Sequence, residues 1–387
     1  MIKAIDIRKP GRAHRLRKSD FTRVTEIIGN QDLKTPFLIL SRSTVKNSLA
    51  DLAAALPGVA ICYAVKSNNH PAILEEVAAA GHSFDVASYN ELLQAVQAGG
   101  FADKCIHSHP IKSPVEIENA VKAGAKTFVI DNTDEIDKFI PYADRVRLLI
   151  RFKVADSSAV VNLSYKFGCE PEEALGLAEK IRQCGLNYCG ITFHVGSQCL
   201  DNSIYVRAIR TAGSLIRELK EHGFETTLLD IGGGFPVQYT DSVPSIDEFC
   251  APIRQALADH IDSGISIACE PGRFISAPAV TLVASVIGKS TRSGKSWYFL
   301  DDGLYGSFSG RLYDHCQYQV YTDRNTVWKD SILAGPTCDS FDVIYDNILL
   351  PPLELGNLLL FPAMGAYCSV SASTFNSLRK AEYIVVE

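Results

Sequence analysis

The sequence predicts an α/β protein in which a (β/α)8 barrel is followed by a domain built of β-strands. Three observations support this fold class. Between residues 61 and 274, eight short apolar runs alternate with amphipathic stretches. Polar or charged residues stand where these runs end, and after residue 275 the helical pattern gives way to short β-rich runs.

The apolar runs are rich in β-branched and aromatic residues, as buried strands are. They cover residues 61–66, 83–87, 104–108, 127–131, 147–153, 188–197, 226–234 and 265–274. The stretches between them have a helical period, and several end at a glycine, as helices commonly do. Examples are residues 71–81, 91–100, 172–185 and 205–223. Eight strand–helix units predict a parallel sheet that closes into a barrel.

The ends of the eight runs carry the residues suited to chemistry. In a (β/α)8 barrel the working residues lie at the carboxyl ends of the strands. In chain order, these ends present Lys66, Asp85, His107, Asp131, Arg151, His194, Asp230 and Glu270. Because the bodies of the same runs are aliphatic, the pattern predicts an active site at one end of the barrel.

The chain therefore divides into three predicted parts. Residues 36–274 form the barrel, and residues 275–387 form a β-domain of antiparallel strands separated by turn signals. Residues 1–35 are expected to form an N-terminal segment that packs on this β-domain.

Composition narrows the class of protein. The chain of 387 residues is 47% hydrophobic and 21% charged, which is typical of soluble globular proteins, and its net charge of −6 argues against a nucleic-acid partner. No apolar run is long enough for a membrane span, and the basic N-terminus lacks the apolar core of a secretory signal. Eleven cysteines include no CxxC pair and no Cys/His spacing typical of zinc, so we expect no metal and a reducing, cytoplasmic location.

The loops after the seventh and eighth runs predict a phosphate site. Residues 230–236 read Asp-Ile-Gly-Gly-Gly-Phe-Pro, and successive glycines let backbone N–H groups approach a phosphate without obstruction by Cβ. Three glycines by themselves are equally consistent with a tight turn. Arg273 in the neighbouring loop favours the phosphate, because a guanidinium binds it through two hydrogen bonds.

Three further residues indicate a cofactor with a pyridine ring. Glu270 can hold a ring nitrogen protonated, so that the ring accepts electrons, and Lys66 can supply a Schiff-base amine. His194, in the segment HVGSQ, can stack on the ring while Ser197 reaches the phosphate. Each residue by itself also has a purely structural interpretation. Glu270 could pair with Arg273, Lys66 could be a solvated surface lysine, and His194 could be a hydrogen-bonded core histidine.

With these residues in place, the sequence resembles the fold type III pyridoxal-phosphate decarboxylases. It resembles in particular the ornithine decarboxylase branch of the ornithine/diaminopimelate/arginine decarboxylase family. The motifs, in family order from residue 63 to 367, are YAVKSN, FDVAS, LSYKFG, HVGSQ, DIGGGFP, EPGRF, DDGLYGSF, LYDH, GPTCDSFD and MGAY. LYDH and GPTCDSFD narrow the resemblance to the ornithine-like branch.

The resemblance implies that the cofactor is pyridoxal 5′-phosphate. It implies that Lys66 forms the Schiff base, that His194 stacks on the ring and that Glu270 binds the pyridinium nitrogen. The other cofactor residues it implies are Asp85 and Arg151 near the ring, and Ser197, Gly233, Gly234, Arg273 and Tyr367 at the phosphate.

The resemblance also implies the substrate and the assembly. Asp314 and Asp339 bind the distal ammonium of the substrate beside Tyr313, and Cys338 protonates the carbanion left when carbon dioxide departs. In this family Cys338 and Asp339 enter the site from the partner subunit, which implies an obligate homodimer with shared active sites. The implied reaction converts L-ornithine to putrescine in polyamine biosynthesis, with L-lysine, giving cadaverine, as a further candidate substrate.

Two alternatives remain open on the same fold. One is a diaminopimelate or carboxyspermidine decarboxylase, although diaminopimelate enzymes typically have Cys-Glu-Ser where this chain has Cys338-Asp339-Ser340. The other is a non-catalytic regulatory relative that binds a partner protein, although such relatives lose functional groups that this chain keeps. Cys368, which follows Tyr367, has no role under any of these hypotheses.

Overall fold

The structure is a computed structural model that describes residues 11–12, 14–15, 34–154, 165–324 and 327–387. Within these residues the chain divides into two units. The barrel unit comprises residues 43–237 and 243–275, and the sheet unit comprises the described residues up to 42 together with 238–242 and 276–387.

The strands of both units are mostly short. In chain order they are β1 (Gly11–Arg12), β2 (His14–Arg15), β3 (Phe37–Ser41), β4 (Val59–Ala64), β5 (Ser83–Val86), β6 (Ile106–His107), β7 (Thr127–Ile130), β8 (Arg147–Arg151), β9 (Asn187–Thr192), β10 (Leu228–Asp230), β11 (Ser266–Cys269), β12 (Val280–Arg292), β13 (Lys295–Leu300), β14 (Tyr321–Thr322), β15 (Lys329–Ala334), β16 (Val343–Leu350), β17 (Leu358–Phe361) and β18 (Glu382–Val386).

The helices belong mainly to the barrel unit. They are α1 (Arg42–Ala55), α2 (Pro71–Ala79), α3 (Tyr89–Gln97), α4 (Pro114–Lys122), α5 (Thr133–Asp137), α6 (Ala174–Gln183), α7 (Ser203–Glu221), α8 (Ile246–His260), α9 (Arg273–Ser276) and α10 (Gly310–Tyr313). None of the helices in the described ranges combines the length and the apolar character needed to cross a membrane.

Eight parallel strands close the barrel in the order β4 to β11, with β11 pairing back to β4. Apolar side chains fill its interior, because eight strands enclose a space just wide enough for side chains to pack. One interior layer consists of Cys62, Ile106, Val129, Leu149, Cys189 and Ala268. The (β/α)8 barrel predicted from the alternating runs is confirmed.

The barrel helices begin at residues whose side chains cap the first turn. Ser88 accepts a hydrogen bond from the third residue of α3, and Ser113 does the same for α4, where proline occupies the first helical position. Ser245 and Glu248 form a reciprocal capping box at α8. These caps satisfy backbone N–H groups of the first turn, which have no partner within the helix.

The strands end earlier than the apolar runs predict. The run over residues 61–66 ends as a strand at Ala64, and the run over residues 188–197 ends as a strand at Thr192. Beyond these points Phe193 and Val195 are fully buried although they no longer belong to the strand ladder. An apolar run indicates burial rather than strand pairing. The runs therefore continue into the loops above the barrel, where the side chains are still buried.

The sheet unit contains one large mixed sheet. Its strand order is β1-β16-β15-β13-β12-β17-β14-β2, and β3 joins it between β12 and β18. The neighbours of the long strand β12 are all antiparallel to it, as predicted, whereas β13 and β15 form a parallel pair. The β-domain after the barrel is therefore confirmed.

The N-terminal segment is described only in part. Gly11–Arg12 pairs with Ile348–Leu349, and His14–Arg15 pairs with Tyr321–Thr322, so the described residues before position 16 extend the sheet. The rest of the predicted segment 1–35, apart from residues 34 and 35, lies outside the described residues. The same holds for the first two residues of the motif LSYKFG.

The ion pair between Lys112 and Glu135 yields a test of stability. Both side chains are 1% exposed, Nζ lies 3.1 Å from Oε1, and Nζ also donates to the carbonyl oxygen of Val129 at 2.7 Å. Replacing Lys112 by methionine leaves a buried carboxylate without this partner. We expect Lys112→Met to lower the free energy of unfolding by about 3 kcal/mol, measured by urea unfolding.

The control is Lys122→Met, which breaks an ion pair with Glu118 whose side chains are 66% and 44% exposed. Exposed pairs of this kind contribute less than about 1 kcal/mol. Equal losses in the two variants would show that burial does not determine the contribution of Lys112.

Candidate active site

Lys66 and Asp85 meet at the carboxyl end of the barrel. The chain leaves β4 in a single 3-10 turn, Val65–Ser67, and this turn carries Lys66 next to the end of β5. Nζ lies 2.5 Å from Asp85 Oδ2. The side chain of Asp85 is 0% exposed whereas that of Lys66 is 36% exposed. The carboxylate therefore holds an amine that a molecule in the barrel mouth can still reach.

Two further carboxylates, Asp230 and Glu270, lie in the same barrel end. Burial, followed by the charges of Asp230 and Asp85, raises the pKa of Glu270 well above its usual value, while Lys66 opposes this shift. Burial also raises the pKa of Asp230 to about 6, and the N–H of Gly232 donates to its Oδ1 at 2.9 Å. Three acidic groups thus lie at one end of the barrel, and Lys66 is paired with Asp85 and acts on Glu270.

Some oxygens of these carboxylates have no hydrogen-bond partner among the described residues. They are Asp85 Oδ1, Asp230 Oδ2 and Glu270 Oε1, each of them buried. Buried polar atoms are nearly always paired, so atoms left over at a barrel mouth indicate groups that a ligand satisfies. A cationic N–H, such as a protonated pyridine nitrogen, fits this acidic position.

The three glycines after β10 are required by close backbone approach. A Cβ at Gly232, Gly233 or Gly234 would lie 2.3 Å from a backbone oxygen in each case. The oxygens belong to Phe193, Glu270 and Gly196 respectively. Gly232 and Gly234 also have φ values of +67° and +114°. The loop therefore lies against the loops that follow β9 and β11, with its own backbone unobstructed by side chains.

Ser197 and Arg273 bring the loops after β9 and β11 together. Arg273 donates to Ser197 Oγ from Nε at 3.2 Å and from Nη2 at 3.0 Å. The arginine is 3% exposed and is the first residue of α9. A buried guanidinium and a hydroxyl next to glycine-rich backbone form the kind of site that binds a phosphate.

His194 presents a neutral ring. Its Nδ1 accepts a hydrogen bond from the N–H of Gly196 at 2.9 Å, which places the ring proton on Nε2. Burial, together with the positive charges of Arg151 and Lys66, holds the pKa of His194 well below its usual value. An uncharged planar ring at this position is suited to stacking on a planar cofactor.

Arg151 lies among the acidic groups at the end of β8. Burial lowers the pKa of its guanidinium, and the charges of Glu270, Asp131 and Asp85 oppose this shift. The guanidinium carbon also lies 5.6 Å from the centre of the Phe167 ring. Because arginine stays charged in proteins, Arg151 offsets part of the negative charge of the cluster.

His107, which also stands at a strand end, has a different environment. The residue is 0% exposed, its ring stacks on Phe128 with centroids 5.5 Å apart, and burial lowers its pKa to about 3. Neither ring nitrogen has a hydrogen-bond partner among the described residues. The structure therefore places His107 as a neutral ring packed on the outer face of the barrel strands, opposite to the interior residues Ile106 and Val129.

The predicted substrate residues and Tyr367 belong to the sheet unit. Cys338 is exposed, and its backbone N–H donates to Asn376 Oδ1 at 3.0 Å. The carboxylate of Asp339 accepts hydrogen bonds from the hydroxyl of Tyr305 and from the N–H of Phe341. These contacts hold the two residues of the TCD motif in a defined loop.

The other members of this set lie at the end of α10 and in the MGAY motif. Tyr313 ends α10 with 70% of its surface exposed, and Asp314 follows it. Tyr367 has a φ of +58°, in the left-handed region that residues other than glycine seldom adopt. The roles predicted for these residues and for those of the barrel remain predictions.

Two residues with clear positions in the structure were missed by the sequence reasoning. Tyr205 is fully buried in α7, and its hydroxyl donates to the carbonyl oxygen of Gly233 at 2.7 Å. It lies on the apolar face of an amphipathic helix, so the sequence offers no signal for this contact. Tyr305 stands inside the motif DDGLYGSF, which is a signal that could have identified it.

A metal centre is not part of this arrangement. Within residues 34–154, 165–324 and 327–387, no cluster of histidine, cysteine and acidic side chains has the geometry to hold a metal ion. The donor set instead fits a cofactor that has a carbonyl group to receive Lys66, a ring nitrogen for Glu270 and a phosphate for Arg273.

Comparison with known proteins identifies the family. A family model described as "Pyridoxal-dependent decarboxylase, pyridoxal binding domain" matches residues 42–277. The chain is 37% identical to the lysine/ornithine decarboxylase of Selenomonas ruminantium, over 92% of this chain and 90% of that protein. It is 34% identical to the ornithine decarboxylase of Mus musculus, over 91% and 81% of the two chains.

Solved structures show the same relationship. The lysine/ornithine decarboxylase from Vibrio vulnificus, complexed with putrescine, is 41% identical and superimposes with a TM-score of 0.91 over 96% of this chain and 99% of that chain. The arginine decarboxylase of the Paramecium bursaria Chlorella virus is 29% identical, with a TM-score of 0.90 over 94% and 100% of the two chains.

The match to the family model covers more than half of the chain, and both the barrel and the β-domain recur in these relatives. The resemblance drawn from the motifs and the cofactor that it implies are thereby confirmed. The chain belongs to the fold type III pyridoxal-phosphate-dependent decarboxylases, in the ornithine decarboxylase branch, and is a carboxy-lyase.

Proposed function

We propose that this enzyme decarboxylates L-ornithine to putrescine and, as a second substrate, L-lysine to cadaverine, within polyamine biosynthesis. The observation that carries the proposal is the Lys66 amine held 2.5 Å from the buried carboxylate of Asp85, beside Asp230 and Glu270. Relatives named lysine/ornithine decarboxylase at 37% and 41% identity support this choice of substrates.

The barrel residues hold the cofactor in the proposed enzyme. When bound, pyridoxal phosphate supplies the sink for the electron pair released as the Cα–carboxylate bond breaks. Lys66 would attach it through Nζ, and Glu270 would hold a proton on the ring nitrogen because the neighbouring carboxylates favour the protonated ring. His194 would stack on the ring, and Asp85 and Arg151 would complete the charges around it.

The phosphate is held by a second group of residues. Arg273 supplies positive charge, Ser197 supplies a hydroxyl, and the loop of Gly233 and Gly234 supplies unobstructed backbone N–H groups. Tyr367 adds a phenolic hydroxyl to this set. Several charge-assisted hydrogen bonds directed at one dianion fix the position of the cofactor relative to Lys66.

The sheet unit supplies the groups that act on the substrate. Asp314 and Asp339 bind the distal ammonium beside Tyr313, and a carboxylate is the natural partner for this cation. The hydroxyl of Tyr305 orients Asp339 for that contact. After carbon dioxide leaves, the thiol of Cys338 donates its proton to Cα, so the product retains the amine and gains one C–H bond.

We also propose that the active enzyme is a homodimer in which Cys338 and Asp339 of one subunit complete the site of the other. The exposure of Cys338 supports this arrangement, because a thiol that serves a neighbouring subunit must lie on the surface of its own. A closed two-fold dimer then contains two equivalent sites.

The substrate proposal is tested by measuring carbon dioxide release with ornithine, lysine, arginine and diaminopimelate. One methylene changes the transition-state free energy by only about 1–3 kcal/mol, so kcat/KM for lysine should lie within about 200-fold of that for ornithine. A higher kcat/KM for arginine or diaminopimelate would overturn the assignment. In Asp339→Asn, KM for ornithine should rise by at least about tenfold, because a charge-assisted contact is lost.

The role of Lys66 is tested with Lys66→Ala. We expect loss of nearly all turnover and loss of covalent cofactor, detected by borohydride reduction and peptide mass spectrometry of the purified protein. Lys153→Ala is the control, since Lys153 is an exposed lysine paired with Glu170 near the end of β8. A cofactor adduct that persists in Lys66→Ala would assign the attachment to another lysine.

The shared site is tested by mixing Lys66→Ala with Cys338→Ala. Each variant should be nearly inactive alone, whereas a heterodimer has one site with both lesions and one intact site. With random assortment about half of the dimers are heterodimers, so activity should return to roughly a quarter of wild type. If mass spectrometry confirms subunit exchange and activity does not return, Cys338 acts within its own chain.

A further inference from the structure

Tyr367 has a backbone conformation that its own side chain does not favour. Its φ is +58°, whereas residues with a Cβ prefer negative values. The carbonyl oxygen of Tyr367 accepts hydrogen bonds from the hydroxyls of Ser309, at 3.3 Å, and Ser371. These contacts support the conformation at the carbonyl oxygen of Tyr367, and the next residue supports it further.

That support comes from Cys368. The residue is 0% exposed, and its thiol donates to the carbonyl oxygen of Ala366 at 3.3 Å. The sulfur also lies 3.4 Å from the hydroxyl of Tyr318. A thiol has one proton, and Ala366 receives it, so the hydroxyl of Tyr318 is the donor to sulfur. The resulting chain runs from Tyr318 through Cys368 to Ala366 and spans Tyr367.

Tyr318 is itself firmly held. Burial raises its pKa well above the usual value, so the hydroxyl keeps the proton that it donates. The ring makes edge contacts with Phe308 and Tyr239, and the backbone carbonyl accepts from the hydroxyl of Tyr345 at 2.6 Å. The hydroxyl of Tyr318, which donates to Cys368, therefore has a fixed position in the sheet unit.

The same hydroxyl touches the start of α10. A Cβ at Gly310, the first residue of that helix, would lie 2.2 Å from the hydroxyl oxygen of Tyr318. The residue before it, Ser309, donates to Tyr367, and the helix leads directly to Asp314. One buried hydroxyl thus contacts both the segment of Tyr367 and the helix that precedes a proposed substrate residue.

We propose that Cys368 and Tyr318 form a positioning pair that holds the left-handed backbone of Tyr367 and thereby sets the affinity of the enzyme for its cofactor. The inference rests on the proposed role of Tyr367 at the phosphate. Both members of the pair are buried, so the pair acts through Tyr367. The pair acts by keeping the phenolic hydroxyl of Tyr367 in one position before the cofactor binds.

The test measures the dissociation constant of pyridoxal phosphate from apoenzyme in Cys368→Ala, Tyr318→Phe and the double variant. Each single change should weaken cofactor binding about three- to tenfold, as the loss of one hydrogen bond does, while kcat at saturating cofactor stays within about twofold. The double variant should bind no more weakly than Cys368→Ala, because both changes break one chain of contacts. Cys368→Ser, which can donate and accept, should keep the wild-type constant.

Cys105→Ala is the matched control. Cys105 is a buried thiol, 1% exposed, in the barrel unit, and it also donates to a backbone carbonyl, that of Phe101, at 3.3 Å. Its loss should lower the thermal midpoint of the apoenzyme as much as Cys368→Ala does without changing cofactor affinity. If Cys105→Ala weakens cofactor binding as much as Cys368→Ala does, the effect at Cys368 is one of general destabilisation and the proposal is overturned.

Tyr367→Phe separates this inference from the proposed function. If Tyr367→Phe weakens cofactor binding while Cys368→Ala and Tyr318→Phe do not, the positioning pair is refuted and the role of Tyr367 stands. If Tyr367→Phe leaves the affinity unchanged, the phosphate assignment of Tyr367 fails, and the inference fails with it. Tyr318→Phe keeps the aromatic ring, so it provides a folded variant even if Cys368→Ala does not fold.

Discussion

The buried carboxylates at the carboxyl end of the barrel are the constraint on which the rest of the site depends. Asp85, Asp230 and Glu270 bring negative charge into a poorly solvated place, and this is costly unless cations or protons compensate it. Lys66 and Arg151 supply part of the compensation. The buried oxygens that have no partner among the described residues are suited to a bound group that carries N–H protons.

The loops above the barrel hold the residues of the site in fixed positions. Neighbouring backbone segments approach Gly232–Gly234 too closely for any side chain, and the hydroxyl of Tyr205 donates to the carbonyl oxygen of Gly233. Arg273 and Ser197 join two neighbouring loops at the same place. Unobstructed backbone and buried side chains therefore meet at one place, and this is the arrangement that we propose for the phosphate. The sheet unit follows the same principle at Tyr367, where buried hydrogen bonds support an unfavourable backbone conformation.

Much of the barrel and of the candidate site could be predicted from the sequence, because the order of strands along the chain fixes their order around a barrel. Each strand delivers its last residues to one ring of loops, so the charged residues that end the apolar runs were expected to meet there. Lys66, Asp85 and Glu270 do meet, whereas the ring of His107 packs against Phe128 on the outer face of the barrel strands. The predicted strands extend beyond the observed ones because a buried loop and a buried strand have the same apolar composition.

The sequence by itself therefore determined the barrel, the β-domain and the identity of the residues at the barrel mouth, since these follow from hydrophobic period and from motif order. Only the tertiary structure decided which of those residues share hydrogen bonds and which buried groups support them. Tyr205 and Gly233 are 28 positions apart, and Tyr318 and Cys368 are 50 positions apart. No local pattern encodes such contacts, because they form only when packing brings distant segments within the few ångströms over which a hydrogen bond acts.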